Sequence, residues 1–251
     1  RDLSAAVESV RERQVPDALV LDAGSDFEVL DPARAESLGL LVDSLDPVSY
    51  PAEWFPADAP EVLARRAEGT FTVGLPGDGS VAWTRQTAPP VVIVKPRVEG
   101  SPESFVDFLV AEALVELGVG VPEAFPTFFE EHYRDLAAAT TLDPAGTYQL
   151  AAALFDAWVG LETREAFAEF EGELAEAWTD AGERLAPRLE VLHAELARGD
   201  LEFPAAAELA CSGVKHDLDL PAPFSALDTA AYRERGAPYA VTWAEKTFAE
   251  L

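Results

Sequence analysis

Helix-start signals recur along the chain from residue 101 onward. In each signal a serine, threonine or aspartate stands directly before a proline or three positions before a glutamate, and α-helices begin with both patterns. The predicted starts are Ser101 with Pro102, Thr127 with Glu130, Asp143 with Pro144, and Asp180 with Glu183. We therefore expect a mainly α fold, a bundle of about six or seven helices.

Apolar side chains continue this pattern between residues 167 and 196, where they repeat at steps of three and four. One longer gap contains Gly182, and Pro187 lies in the second half of the stretch. Because proline lacks the backbone N–H of a helix interior, a kink or a break is expected there. Two helices and one bent helix both fit this pattern.

A short β region is predicted between residues 69 and 97. Phe71, Val73 and Leu75 alternate with polar or small residues, the turn sequence PGDGS follows, and VAWTRQ comes next, which together indicate a β-hairpin. The apolar run VVIVK at residues 91–95 indicates a buried strand. We expect an antiparallel or mixed sheet of about three strands, inserted near residues 69–97.

The N-terminal part contains two further predicted helices, one over residues 3–13 and one over residues 31–45 with Asp31 as its N-cap. Four prolines within residues 46–60 then indicate a linker or a wrapping loop. The expected organisation is residues 1–60 as N-terminal helices with a proline-rich wrapping segment, and residues 61–251 as a helical bundle with the β-hairpin insertion. A single domain over residues 1–251 is the alternative.

The charge of the chain indicates a halophilic origin. The formal net charge is -28, and only Lys95, Lys215 and Lys246 among the 18 basic residues are lysines. Aromatic and apolar residues throughout the chain argue against acidic disorder. In molar salt the Debye length falls to about 3 Å, which screens the repulsion between carboxylates. We therefore expect an acidic cytosolic protein of an extreme halophile.

The same composition argues against several classes of protein. A chain so acidic, without a basic stripe or arm, is not expected to bind nucleic acid. Its one cysteine, Cys211, excludes an intramolecular disulfide and a cysteine-rich zinc site within the monomer. No apolar run has the length of a membrane span, and the first residues lack the flanks of a signal peptide. The cytoplasm is the expected compartment, and no cofactor is predicted.

The one strongly net-positive block of the chain lies between residues 63 and 98 and contains five of its 18 basic residues. Lys95 and Arg97 follow a predicted strand and precede the predicted helix start at Ser101, so two cations and free backbone N–H groups would face one region. Arg85 adds a third cation to this anion-binding hypothesis. The alternative is that these cations neutralise neighbouring acidic helices.

Asp156 is the weak candidate for a catalytic residue, and no stronger one is predicted. It is the only charged residue in LAAALFDAWVGL, residues 150–161, and it shares a helix face with the small residues Ala152, Ala153 and Gly160. A carboxylate there needs a partner or a raised pKa. It is either a general base or ligand carboxylate in a cleft, or a structural partner of Arg164 or of another arginine.

Three other pairs are interpreted as structural, and no metal site is predicted. Glu190 and His193 have the spacing of a metal-binding pair but lie away from the apolar face of their helix, and no second pair exists. His132 lies beside the core face of its helix, with Asp135 facing further into solvent. Cys211 and His216 are expected to point apart if one helix contains both. The end of a helix is the preferred interpretation of that stretch.

Four phrases resemble those of an uncharacterised family of haloarchaeal proteins. They are TYQLAAALFDAWVGLETRE, ELACSGVKHDLDLPAPF, GAPYAVTWAEKTF and VVIVKPRVEGSP. The resemblance spans most of the chain and implies a halophilic source, but it brings no known activity or catalytic residues.

Two functions remain open from the sequence. The first is a non-catalytic helical protein that binds a protein partner or acts as a scaffold, because predicted amphipathic helices are abundant and no catalytic constellation is recognisable. The second is an enzyme or sensor for a small anionic ligand, which Arg85, Lys95, Arg97 and Ser101 would bind, with Asp156 as acid or base. The second requires these side chains to converge on one cavity. The oligomeric state is not predicted.

Overall fold

Helices dominate the computed structural model, which describes residues 1–39, 45–77 and 79–250. That part of the chain forms eleven α-helices and three β-strands, so the prediction of a mainly α fold with a small sheet is confirmed. The helix count exceeds the expected six or seven, and four of the eleven helices have seven residues or fewer.

The helices are α1 Ala5–Gln14, α2 Pro32–Ser37, α3 Glu61–Ala67, α4 Glu103–Val119, α5 Phe125–Phe129, α6 His132–Ala139, α7 Pro144–Phe167, α8 Gly172–Arg198, α9 Phe203–Ser212, α10 Ala230–Arg235 and α11 Ala237–Glu250. The strands are β1 Leu19–Asp22, β2 Val81–Thr84 and β3 Val91–Val94. No helix in the described ranges is long and apolar enough to cross a membrane.

The chain forms two compact units, each built from three separate segments. The first contains residues 1–50, 65–124 and 166–177, and the second contains residues 51–64, 125–165 and 178–251. The boundary expected near residue 60 falls inside a segment of the second unit. A division into residues 1–60 and 61–251 stays a prediction.

The sheet of the first unit has the strand order β1-β3-β2. β1 pairs with β3 in parallel, with Leu19 opposite Val91, and β2 pairs with β3 in the antiparallel direction, with Thr84 also opposite Val91. All four residues of β3 are buried, as expected for the run VVIVK in a central strand. In the same unit α1 packs against α4.

The predicted hairpin between residues 71–75 and 81–86 is wrong in its pairing. β2 pairs with β3 instead, and the third strand comes from residues 19–22, outside the expected insertion. Val73 makes only an isolated antiparallel bridge, with Leu30.

Side chains explain the difference: Arg66 donates to the carbonyl of Gly74 at 2.9 Å, and Gln86 donates to that of Thr72 at 2.8 Å. These carbonyls are therefore occupied. Asp78, in the predicted turn, lies outside the described residues.

Aromatic rings form much of the core of the second unit. The Phe128 ring contacts Trp158 on α7 with centroids 5.0 Å apart, and Phe125 contacts Tyr148 at 5.1 Å. The hydroxyl of Tyr232 donates to the carbonyl of Leu154 at 2.6 Å, which satisfies the buried polar end of that ring. α6 also packs against α11 within this unit.

Two of the predicted helix starts are confirmed by their capping bonds. Asp31 accepts a hydrogen bond from the backbone N–H of Arg34 at 2.9 Å, and Asp143 accepts one from that of Gly146 at 2.7 Å. The helix after Asp31 ends at Ser37, and residues 40–44 of its predicted extent lie outside the described residues.

The helix starts predicted at Ser101, Thr127 and Asp180 are wrong. Thr127 lies inside α5, and Asp180 lies inside α8, which continues through Pro187 as one helix. Ser101 does not cap α4, because the helix begins at Glu103 with Pro102 in the N-cap position. A serine, threonine or aspartate at capping spacing marks a helix start only where the residues before it are not helical.

Candidate functional site

Arg97, one of the cations of the predicted anion site, is bound by two carboxylates of the chain itself. The Arg97 guanidinium contacts Asp26 at 2.8 Å and Glu28 at 3.0 Å, and its hydrogen bonds hold the pKa of both carboxyls below the usual value. Lys95 is 0% exposed, with its Nζ 4.9 Å from the centroid of the Phe27 ring. The carboxylates that contact Arg97 belong to the loop between β1 and α2, not to a neighbouring acidic helix.

Arg85 lies at the opposite end of the sheet from Lys95. It follows the last residue of β2, which is paired with the first residue of β3, whereas Lys95 follows the last residue of β3. The Arg85 guanidinium donates to the carbonyls of Leu117 and Val121, at the C-terminal end of α4. A cation stabilises that end of a helix. The structure therefore does not bring Arg85, Lys95, Arg97 and Ser101 to one site.

Glu123 is the centre of a polar cluster in the first unit. Its carboxylate accepts hydrogen bonds from the Thr84 hydroxyl at 2.9 Å, the Arg85 backbone N–H at 3.2 Å and the Gln86 amide at 2.7 Å. Burial raises the pKa of Glu123, while the charge of Arg66 opposes the rise. Since its oxygens are bonded to neighbouring residues, Glu123 connects the segment after α4 to the end of β2.

Asp156 is half-buried on α7, in the second unit. Its charge helps to raise the pKa of the buried Cys211 thiol, after the larger effect of burial. Arg164, its suggested partner, instead contacts Asp217 at 3.2 Å and Asp228 at 2.7 Å. The close approach expected on this helix face does occur, because a Cβ added to Gly160 would lie 2.9 Å from the backbone nitrogen of Lys215.

The remaining sequence candidates lie apart from one another. Glu190 and His193 are both exposed, and His132 contacts Asp135 at 3.1 Å on the surface. α9 ends at Ser212, before His216, as the helix-end interpretation predicts. Burial and the charge of Lys215 lower the pKa of His216 to about 4, and its ring lies 5.6 Å from that of Trp178. Within residues 1–39, 45–77 and 79–250, no group of three histidine, cysteine, aspartate or glutamate residues could hold a metal ion.

A groove lies over α6 in the second unit, and we call it the α6 groove. Residues 51–59 form one wall: Phe55 packs on Tyr133 with ring centroids 5.6 Å apart, and Arg134 donates to the carbonyl of Glu53 at 3.1 Å. Two adjoining depressions, which share Arg134 and Ala138, make up the groove. The proline-rich segment thus contributes one wall of a concave surface.

The first depression, the tyrosine half, has a volume of about 320 Å³. Small ligands and side chains bind in cavities of this order. Its apolar lining consists of Pro56, Ala59, Ala137, Ala138, Leu142 and Pro144, and its polar lining of Asp58, Tyr133, Arg134 and Thr147. An apolar surface with a few polar groups is typical of a binding site.

Tyr133 is the polar group of interest in this half. The residue is 1% exposed, and its hydroxyl makes no hydrogen bond within the described part of the chain. Burial, and secondarily the charge of Asp58, raise its pKa, so the phenol stays protonated at neutral pH. The groove therefore contains a hydrogen-bond donor that a ligand can use.

The second depression, the acidic half, is shallower and wider, about 770 Å³. Its lining consists of Glu53, Trp54, Glu131, Arg134, Asp135 and Ala138. Three carboxylates surround one guanidinium there, and that guanidinium is engaged by a backbone carbonyl. This half is acidic and carries an aromatic ring.

The model of a family of unknown function (DUF7089) matches the chain over residues 1–251. The chain belongs to this family. No curated protein and no solved structure matches it. The predicted resemblance to an uncharacterised family is therefore confirmed for DUF7089, while the haloarchaeal source stays a prediction.

Sequence reasoning missed the α6 groove of this DUF7089 chain. Tyr133 lies on the core face of its helix, and Asp58 and Trp54 lie in the segment predicted to be a linker or a wrapping loop. The available signal was the pair Trp54–Phe55 between prolines, because two aromatic residues in a surface loop need a surface on which to pack.

Proposed function

We propose that the protein is a non-catalytic helical protein that binds a partner, and that the α6 groove is its binding surface. Tyr133 carries this proposal: a nearly fully buried tyrosine lines an open groove and has no hydrogen-bond acceptor within the described ranges. Tyr133 lines the groove, where a bound partner can accept a hydrogen bond from its hydroxyl.

The state of the reactive side chains supports a non-catalytic role. Burial raises the pKa of the Cys211 thiol, so the nucleophilic thiolate is not formed at neutral pH. The pKa of His216, about 4, makes its imidazole a weak proton acceptor. Glu123 and Asp156 lie outside the lining of the α6 groove.

The alternative, a sensor or enzyme for a small anion bound by Arg85, Lys95, Arg97 and Ser101, has less support. Arg97 already contacts two carboxylates, and Arg85 lies at the other end of the sheet. An anion at Arg97 would have to displace Asp26 and Glu28. Such an anion would gain little binding free energy, because Arg97 would exchange one charged partner for another.

The proposed setting is the cytoplasm of an extreme halophile. The net charge of -28 supports it, because carboxylates in such excess repel one another unless salt screens them. An anionic partner such as nucleic acid is disfavoured by the same charge.

Photo-cross-linking tests the proposal. p-Benzoylphenylalanine is placed at Ala138, which lines both halves of the groove, and in a matched protein at Glu190, which is exposed on α8. After irradiation in cytosol from the source cells at native salt, we expect a discrete adduct at position 138 alone. No adduct, or the same adduct from both positions, would contradict a partner-binding groove.

A further inference from the structure

We infer that the partner presents a short extended peptide segment to the α6 groove, with an apolar side chain in the tyrosine half and a neighbouring arginine or lysine in the acidic half. This inference rests on the proposed function and adds the chemistry of the partner.

The acidic half suits a cationic side chain. Glu53, Glu131 and Asp135 provide three carboxylates beside the partly exposed Trp54. A guanidinium forms charge-assisted hydrogen bonds with carboxylates and stacks on an aromatic ring, so one side chain satisfies both features. The cations next to these groups are Arg134, which donates to the Glu53 carbonyl, and His132 when it is protonated.

The tyrosine half suits an apolar side chain with a backbone carbonyl beside it. Pro56, Ala59, Leu142 and Pro144 provide apolar walls for a cavity of about 320 Å³. The Tyr133 hydroxyl is a donor that lacks an acceptor within the described residues, and a peptide carbonyl is an acceptor of the right kind. Peptides are commonly recognised in this way, through backbone hydrogen bonds with side chains in pockets.

Other ligands satisfy only part of this surface. A lone cation leaves the Tyr133 donor unsatisfied, because a hydroxyl donor needs an acceptor. A polyanion meets three carboxylates against the single guanidinium of Arg134. Because Arg134 and Ala138 belong to both halves, an occupant that crosses them covers the whole groove. A peptide with adjacent apolar and basic residues matches all of these features.

Two end-capped hexapeptides test the inference by isothermal titration calorimetry. Both are alanine-based with one leucine, followed by arginine in the first and by its uncharged isostere citrulline in the second. The KCl concentration is the lowest at which far-UV circular dichroism shows the native helix content, because salt screens exposed charges. We expect the arginine peptide to bind about tenfold more tightly than the citrulline peptide.

Variants of the groove test which half is responsible for the tighter binding of the arginine peptide. The double variant Glu131→Gln/Asp135→Asn should bind both peptides equally, whereas Glu183→Gln/Glu190→Gln, which removes two charges from exposed positions of α8, should keep the difference. Tyr133→Phe removes one hydroxyl and should weaken both peptides by a similar factor, about 3- to 10-fold. Circular dichroism confirms that each variant is folded.

The outcomes separate this inference from the proposed function. Equal binding of the two peptides, no binding of either, or a preference that survives in the double variant overturns the peptide inference. A groove-specific adduct at position 138 would then still support partner binding of another chemistry. Absence of that adduct removes the proposed function itself, whatever the peptides do.

Discussion

The amide nitrogen of Gln86 donates to the carboxylate of Glu123 at 2.7 Å, across 37 residues of sequence. The same side chain donates to the carbonyl of Thr72 and accepts from the backbone N–H of Val48 at 3.2 Å. Gln86 is 4% exposed. One buried amide thus connects three segments of the first unit, each of which has few regular backbone bonds of its own.

Replacement of this amide should destabilise the protein. Gln86→Ala leaves the Val48 N–H and the Thr72 carbonyl without their side-chain partner, and we expect a loss of about 2–4 kcal/mol in the free energy of unfolding. Chemical denaturation measures it. Gln149→Ala, on α7, is the matched control and should change stability by less than about 1 kcal/mol. Equal effects of the two changes would show that Gln86 has no special role.

Two helical glycines should respond oppositely to alanine. At Gly160 the new Cβ would lie 2.9 Å from the backbone nitrogen of Lys215, which cannot move aside easily, so Gly160→Ala should destabilise by about 1–3 kcal/mol. At Gly182 the nearest atoms belong to the His216 ring at 3.4 Å, an ordinary contact. Gly182→Ala should therefore be neutral or stabilise by up to about 1 kcal/mol. Thermal unfolding of both variants checks the contrast.

His216 should make stability depend on pH. Its pKa is about 4 in the folded protein against an ordinary value of 6.5, so the unfolded chain takes up a proton first as the pH falls. The contribution of the neutral His216 to the free energy of unfolding is complete above pH 6.5 and is lost as the pH falls from about 6.5 to 4. We expect the melting temperature of His216→Gln to fall less than that of the wild type over this window.

The exposed His193 provides the control for that experiment. The variant His193→Gln should follow the wild-type pH profile, since the other titrating groups are unchanged. Parallel profiles of His216→Gln and the wild type would show that His216 does not set the dependence.

Salt dilution should unfold the protein. At about 2 M KCl the Debye length is only a few ångströms, and in salt-free buffer the carboxylates of a chain with net charge -28 repel one another. Far-UV circular dichroism should show a loss of helix on dilution and a recovery when KCl is restored. A spectrum that does not change between the two conditions would contradict the halophilic interpretation.

Local signals in the sequence predicted helices well where side chains bond within their own turn. Asp31 and Asp143 cap helices because their carboxylates reach backbone N–H groups three residues on. Asp180 has the same spacing to Glu183 but lies inside α8. The spacing alone does not distinguish a helix start from a helix interior. That distinction depends on whether the preceding residues are helical.

Pairings and surfaces were predicted less well because distant segments form them. The alternating residues 71–75 do not pair with β2, since the carbonyls of Thr72 and Gly74 accept from Gln86 and Arg66. The cations at residues 95 and 97 were recognised, but not the loop carboxylates at residues 26 and 28. The α6 groove likewise combines residues 53–59 with residues 131–147.

The segmented composition of the two units decides how far each can form while the chain is being synthesised. The first unit needs residues 166–177, and the second begins at residue 51 and uses residues 178–251. A nascent chain emerges from its N-terminus. It therefore carries an incomplete first unit until residue 177 has left the ribosome, when two of the three segments of the second unit have already emerged. Both units are completed only after residue 166 has been added, and a chain that stops before this residue lacks part of each.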